Sequence, residues 1–264
     1  MTGEALGAIV GSASDDSIVR SLGLRLRVVA TPWGDQELYE GVSPEGRELL
    51  LIHRHGLPHR KLPNQVNYRA QAWALKARDC GALLVSSSVG VLDPEIPLYR
   101  PLLVTDLLMP ENRLPDGSTC TMFVEPSEEQ GHLVLTGGLF STALDRQLRG
   151  LDSRETIAPE APCVFVYAGG PRSKTPAENR MWARLGAQVN SMSVGPEVVL
   201  ANELEIPCAA LVVGHKYSVP GMATPSTPDL EQTLVEARRA GQHLVERFLE
   251  AGRPVPFGNQ IYRF

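Results

Sequence analysis

The sequence predicts one α/β domain, with a parallel or mixed sheet covered by helices on both faces. Three observations predict it. Strand-like apolar runs alternate with segments of helical periodicity, the pattern of a sheet with helical crossovers. The 264 residues, 43% hydrophobic and 21% charged, suffice for one large core. No internal repeat, low-complexity segment or linker divides the chain, so residues 1–264 read as a single domain with 252–264 as its tail.

The elements follow in order. Strand runs bounded by turn residues are Leu6–Val10, Arg25–Ala30, Glu48–His53, Ala82–Ser86, Leu102–Leu107, Cys163–Tyr167 and Cys208–Val213. Val66–Arg78 repeats apolar residues at helical spacing. Pro176–Leu185 follows Thr175, a suitable N-cap. Val198–Leu204 is a short third helix, and Asp229–Ala251 a long amphipathic one behind Pro228. The connections Leu92–Leu98, Met109–Gly138 and Gly214–Thr227 are long enough to carry function. The tail 252–264, rich in Pro and Gly with three aromatics, either packs on a neighbouring subunit or is loose.

Composition excludes several partners. A net charge of -5 and a pI near 5.7 give no basic surface for nucleic acid or an acidic membrane. Cys80, Cys120, Cys163 and Cys208 are scattered, without metal-ligand spacing, and read as reduced, buried thiols. No basic leader or membrane-length apolar run is present. A cytoplasmic, soluble protein without a metal site is expected.

Chemistry gathers at four strand ends. Gly11-Ser12-Ala13-Ser14 offers backbone N–H groups and a hydroxyl, an anion-binding arrangement, but matches neither GxGxxG nor a P-loop. Arg54-His55-Gly56 closes the run Leu50-Leu51-Ile52-His53. Ser86-Ser87-Ser88-Val89-Gly90 and Ser191-Met192-Ser193 complete the set. Ligands of α/β sheets collect at the carboxyl ends of strands, and hydroxyls with one guanidinium suit a phosphate. The plain alternative is that serines at strand ends are turn residues and His59 a surface residue. Arg54 resists that reading, because a guanidinium directly after a buried strand needs an anionic partner.

Three ordered motifs, RHGLPHRKLPNQVNYRAQAWALK, GGPRSKTPAE and SMSVGPEVVLANEL, resemble the trimeric purine nucleoside phosphorylases, nearest to the methylthioadenosine phosphorylases, over about residues 6–250. The resemblance implies a mixed, partly barrel-like sheet flanked by helices, phosphorolysis of a nucleoside, and a homotrimer. It implies inorganic phosphate as cosubstrate, with no metal and no organic cofactor. By motif, Ser12, Arg54, His55, Ser87, Ser88 and Ser193 would hold phosphate, and Met192 would lie under the ribose. His132 would reach a neighbour's ribose across the trimer interface.

The base half departs from that family. Its Phe in the Gly-Pro loop is Ser173 here, and the next position is Lys174. Counted without gaps from Glu197, the late-strand positions that contact purine are His215 and Lys216, followed by Tyr217 and Ser218. The family's base-recognising carboxylates are therefore absent. Two readings stay open. In one, Ser173, Lys174 and Lys216 form the base site, with Lys216, His215 and His55 assisting chemistry on a leaving group rich in acceptors or charge. In the other, the lysines are solvated and the protein is a silent, nucleoside-binding or structural relative. A hydrolase using water in place of phosphate is a third outcome.

Overall fold

The computed structural model describes residues 3–11, 14–219 and 227–263. In chain order these form β1 (Ala5–Val10), α1 (Ser17–Ser21), β2 (Arg25–Val29), β3 (Gln36–Val42), β4 (Glu48–His53), α2 (Tyr68–Ala77), β5 (Cys80–Val91), β6 (Pro101–Leu103) and β7 (Asp106–Leu108). Then come β8 (His132–Val134), α3 (Thr142–Leu151), β9 (Val164–Tyr167), α4 (Pro176–Arg184), β10 (Val189–Ser191), α5 (Gly195–Glu203), β11 (Cys208–Tyr217), α6 (Thr227–Ala251) and β12 (Gln260–Tyr262). Among the described residues, no helix is long and apolar enough to cross a membrane.

The sheet is mixed and branches at β5. One path runs β2-β3-β4-β1-β5-β10-β9-β7, while β11 also pairs with β5 and carries β6. Pairing is parallel for β4-β1-β5, β5-β11, β10-β9 and β9-β7, and antiparallel elsewhere. Side chains alternate between two cores, as the two-residue period of a strand requires. Ile9, Leu50, Ile52, Leu83 and Val85 face the side covered by Leu75 of α2 and Val198 and Ala201 of α5. Leu6, Ala8, Leu49, Leu51, Leu84 and Leu211 face Leu144 and Leu148 of α3 and Leu244, Phe248 and Leu249 of α6. Each fully buried Leu or Phe contributes roughly 1.5–3 kcal/mol.

Several elements depart from the sequence reading. The run Leu102–Leu107 divides into β6 and β7, because β6 pairs with β11 and β7 with β9. The predicted strand Ala82–Ser86 continues to Val91, since β11 stays in register beside it through the serines. Ser86, Ser87 and Ser88 are thus strand residues, not a strand end. β3 escapes the periodicity reading because Glu37 and Glu40 interrupt it; they pair with Arg60 and Arg78. α3 also went unread, although Ser141 caps Leu144 N–H and Leu144 and Leu148 recur at helical spacing. Over its described part the tail is not loose: β12 pairs antiparallel with β8, and Asn259 bonds Gly138 O and Asn202.

Two caps follow from the residues that provide them. Thr175 and Glu178 form a reciprocal capping box on α4, with Pro176 in its first turn. Asn67 caps α2 by accepting from Ala70 N–H at 3.2 Å, and its amide donates to Trp33 O. Asn67→Ala is expected to cost about 1 kcal/mol, a fall of roughly 2–4 °C in Tm by scanning calorimetry.

Candidate active site

A cleft of about 540 Å³ opens where the sheet branches. Ten of the residues expected from the sequence line it: Arg54, His55, Ser87, Ser88, Ser173, Lys174, Met192, Ser193, His215 and Lys216. Ser12 lies outside the described residues. His132 is on β8 and lines a different cleft, with Thr121 and Glu203.

The opening arises from strand lengths. β1 pairs with β5 only as far as Val85, and β10 joins β5 only at Gly90. Between them, among the described residues, no strand lies beside one edge of Ser86–Val89. Arg54, placed there by the end of β4, donates from Nη2 to Ser86 O at 3.1 Å. Gly11 lies against this guanidinium: a Cβ on Gly11 would come within 2.8 Å of Nη1.

The anionic partner that Arg54 requires is in the protein itself. Its Nε donates to Glu197 Oε1 of α5, and both side chains are almost wholly buried, at 1% and 0% exposure. The guanidinium therefore enters the cleft already fixed by Glu197, Ser86 O and Gly11. Glu197 had a sequence signal: it is the lone charge in the apolar start of α5, Gly195-Pro196-Glu197-Val198-Val199-Leu200. A carboxylate there needs a buried cation.

The hydroxyls converge on the same point. Ser87 Oγ and Ser193 Oγ are 2.8 Å apart, and Ser193 Oγ lies 3.3 Å from Ser191 Oγ. The chain carries Ser193 through a tight γ-turn: Val194 has φ 69° and ψ -55°, and Gly195 N–H donates to Ser193 O at 2.8 Å. That conformation is rare and strained for a β-branched residue, at about 1–3 kcal/mol. Complete burial of Val194 in the main core holds it. Met192 is fixed beside it, its carbonyl accepting from Tyr68 OH at 3.2 Å.

His55 is neutral. Burial, the Arg54 charge and His59 lower its pKa to about 4. Its Nδ1 lies 2.9 Å from Lys61 O. A carbonyl only accepts, so Nδ1 carries the proton and Nε2 is left as an acceptor. His59 is exposed, as the plain reading held, but its ring stacks on His55 at 4.5 Å.

The residues expected at the base come from the loop before α4 and from the end of β11. Ser173 and half-buried Lys174 lead into α4. His215 and Lys216 end β11, where a bulge between Gly214 and Lys216 shifts the register against β5. Such a bulge re-aims side chains. Burial first, and then the Lys216 charge, lower the Lys174 pKa to about 8. Burial and Lys216 also lower His215 from the usual 6.5 to about 4, and its buried Nδ1 has no hydrogen-bond partner among the described residues. His215 is thus neutral at pH 7 in the ligand-free cleft. A depressed folded pKa gives stability that is complete above 6.5 and lost as pH falls toward 4. Thermal melts should show the wild type losing stability relative to His215→Gln across that window; parallel profiles would contradict it.

Residues absent from the sequence-based site also line the cleft. Asn190 donates to Asn179 Oδ1 at 3.1 Å, and Gly90 and Ser218 close the wall beside them. Gly90 has no room for a side chain, since a Cβ would meet Ser218 Oγ at 2.3 Å. Gly90 and Ser218 stand in the runs already quoted beside Ser88 and Lys216, but nothing in the local sequence marks Asn190, whose strand β10 is only three residues long. Among the described residues, no group of three or more His, Cys, Asp or Glu side chains is placed to hold a metal ion.

Residues 20–250 match the Phosphorylase superfamily. The chain is 34% identical to the "Probable S-methyl-5'-thioinosine phosphorylase" of Pseudomonas syringae pv. tomato, over 78% of this chain and 82% of that protein. It is 32% identical to the "Probable 6-oxopurine nucleoside phosphorylase" of Moorella thermoacetica, over 86% and 85%. In fold it is similar to the methylthioadenosine phosphorylase of Schistosoma mansoni in complex with tubercidin, with TM-score 0.78, 22% identity, and 93% and 90% of the two chains covered.

Proposed function

The chain belongs to the phosphorylase superfamily, and from that membership we propose how its cleft works: it is a nucleoside phosphorylase that cleaves the N-glycosidic bond of a purine-type nucleoside with inorganic phosphate, giving free base and sugar 1-phosphate. The observation that carries the site assignment is the convergence of Arg54, Ser87 and Ser193 on one end of the cleft. As the glycosidic bond stretches, the sugar becomes oxocarbenium-like and the base gathers negative charge. Phosphate held by Arg54 and the two hydroxyls lies where it can attack the anomeric carbon and offset its positive charge. Ser88 and, in the segment outside the described residues, Ser12 add donors. Met192 supports the ribose, and Ser173, Lys174, His215 and Lys216 meet the base. Neutral His215 acts there as a hydrogen-bonding group. Phosphate is a cosubstrate, and the reaction as proposed uses no metal or organic cofactor.

The test of the phosphate assignment is a paired substitution. Ser87→Ala and Ser193→Ala should each weaken phosphate binding several-fold, for about 1 kcal/mol per hydroxyl, with a smaller change in nucleoside binding. Calorimetric titration of phosphate and of a nucleoside separates the two. Equal losses for both ligands would count against the placement.

The proposal includes a homotrimer in which His132 completes a neighbour's ribose site. Two observations support it: His132 is outside its own chain's cleft, and Val134, Leu135 and Tyr262 around β8 are exposed apolar side chains. Light scattering should give three times the 28.7 kDa chain mass, and His132→Ala should raise KM for nucleoside. A fully active monomer would remove both. A cytoplasmic location fits four free, buried cysteines.

A further inference from the structure

We propose that the base released here is of the 2,6-dioxopurine class, an imide that ionises readily, and that Lys174 and Lys216 bind its anionic edge. The inference rests on the phosphorylase reading above and adds the leaving group to it.

Charge balance in the cleft carries the argument. Lys174, Lys216 and Arg54 all line it, and no carboxylate does among the described residues. Among the described residues, Arg54 is the one of the three with a carboxylate in ion-pair contact, Glu197. The loops that bring the lysines contain none to add: residues 169–177 and 214–228 have no Asp or Glu. Glu178, next along, is committed elsewhere. It shares a neighbouring cleft with Lys174, but there it takes two hydrogen bonds from Arg172, at 2.9 and 2.6 Å, and one from Thr175 N–H at 2.7 Å, so its charge is matched by Arg172. Two ammonium groups that repel each other in one cleft are stabilised by an anionic ligand.

Hydrogen-bond logic points the same way. An ammonium donates and never accepts. The exocyclic amine of an adenine, or the N1–H of a neutral 6-oxopurine, finds no acceptor in either lysine. Asn179 Oδ1 already accepts from Asn190. Carbonyl oxygens and a deprotonated ring nitrogen accept from both lysines, and two groups that only donate discriminate against a base edge that presents donors to them.

The chemistry closes. The C1′–N9 bond breaks with its electron pair on N9, and a phosphate oxygen forms the new bond to C1′. An imide already ionised leaves carrying a second negative charge, which the two ammonium groups stabilise. Over the full reaction the proton of hydrogen phosphate passes to the base, leaving the sugar 1-phosphate dianion.

The experiment is calorimetric titration of xanthine, hypoxanthine and adenine onto the full chain saturated with inorganic phosphate at pH 7. Xanthine should bind about tenfold or more tighter than the other two, and Lys174→Met or Lys216→Met should abolish most of that preference. A wild type that binds hypoxanthine or adenine as tightly as xanthine overturns the proposal. So does an order unchanged in both variants. Where a Met variant does not fold, Lys174→Arg decides. Lys174 faces Lys216, Arg172 and Glu178, and the ratio of wild-type to Arg-variant xanthine affinity should fall between pH 7 and 9 as the Lys174 ammonium is lost, the ionisation of xanthine being common to both proteins. A ratio that stays level overturns the role of Lys174. Binding needs no turnover. A xanthine preference without phosphate-dependent cleavage would sink the phosphorylase reading alone, and cleavage without the preference would sink this one.

Discussion

Arg54→Ala should lower phosphate affinity by about ten- to a hundredfold, the loss of a charge-assisted contact worth roughly 1.5–3 kcal/mol. Nucleoside affinity should fall much less. The same substitution should also cost about 3–5 kcal/mol of folding stability, because Glu197 would then be a buried carboxylate without its cation. Ser86 O loses its donor as well. Both effects must be read together. Phosphate titration belongs at a temperature where circular dichroism shows the variant folded, and unchanged affinity there would contradict the placement of phosphate. Arg54→Lys separates charge from shape: an ammonium cannot hold Glu197 and Ser86 O in the fixed geometry of a guanidinium. Phosphate affinity should be only partly restored.

Glu197→Ala should destabilise the fold by a similar amount, about 3–5 kcal/mol, although Glu197 is not among the residues lining the cleft. Its carboxylate is the only charge paired with Arg54 among the described residues. Without it the guanidinium is buried unpaired and free to leave its position against Gly11. Phosphate binding should weaken even where the variant remains folded. The informative comparison is the double variant Arg54→Met, Glu197→Met. Replacing a buried pair by apolar side chains of similar volume removes both desolvation costs, so the double variant should be more stable than either single one. It should not bind phosphate. Denaturant melts of the four proteins measure the coupling, and strictly additive losses would show that the pair is not a unit.

Much of the cleft lining around Arg54 was legible in the sequence, for a physical reason. Arg54 follows an apolar strand, and a guanidinium there must find an anion, so its chemistry was readable without a fold. The motifs around His55, Ser193 and Met192 placed them in one site. The sequence did not disclose that the anion is Glu197, because the partner lies 143 positions away and only tertiary packing joins them. The serines of β5 read as the end of a strand, since local propensity could not foresee β11 running beside them. β3, β8, β10 and β12 were unread for the same reason. They are short or charge-interrupted, and neighbouring strands stabilise them more than their own residues do. On the base side, a gap-free count delivered Lys216 and His215 to the cleft even though a bulge separates them from regular pairing.

The central claim is that bond cleavage in this cleft requires phosphate. It is tested most directly by incubating the protein with a panel of purine ribonucleosides, including xanthosine, inosine, adenosine and methylthioadenosine, with and without inorganic phosphate. Free base is followed chromatographically and sugar 1-phosphate by phosphorus NMR. The account predicts base release only when phosphate is present, with one sugar 1-phosphate formed per base. Base release without phosphate, yielding free sugar, would make the protein a hydrolase; nucleoside binding with no release under either condition would make it a silent relative.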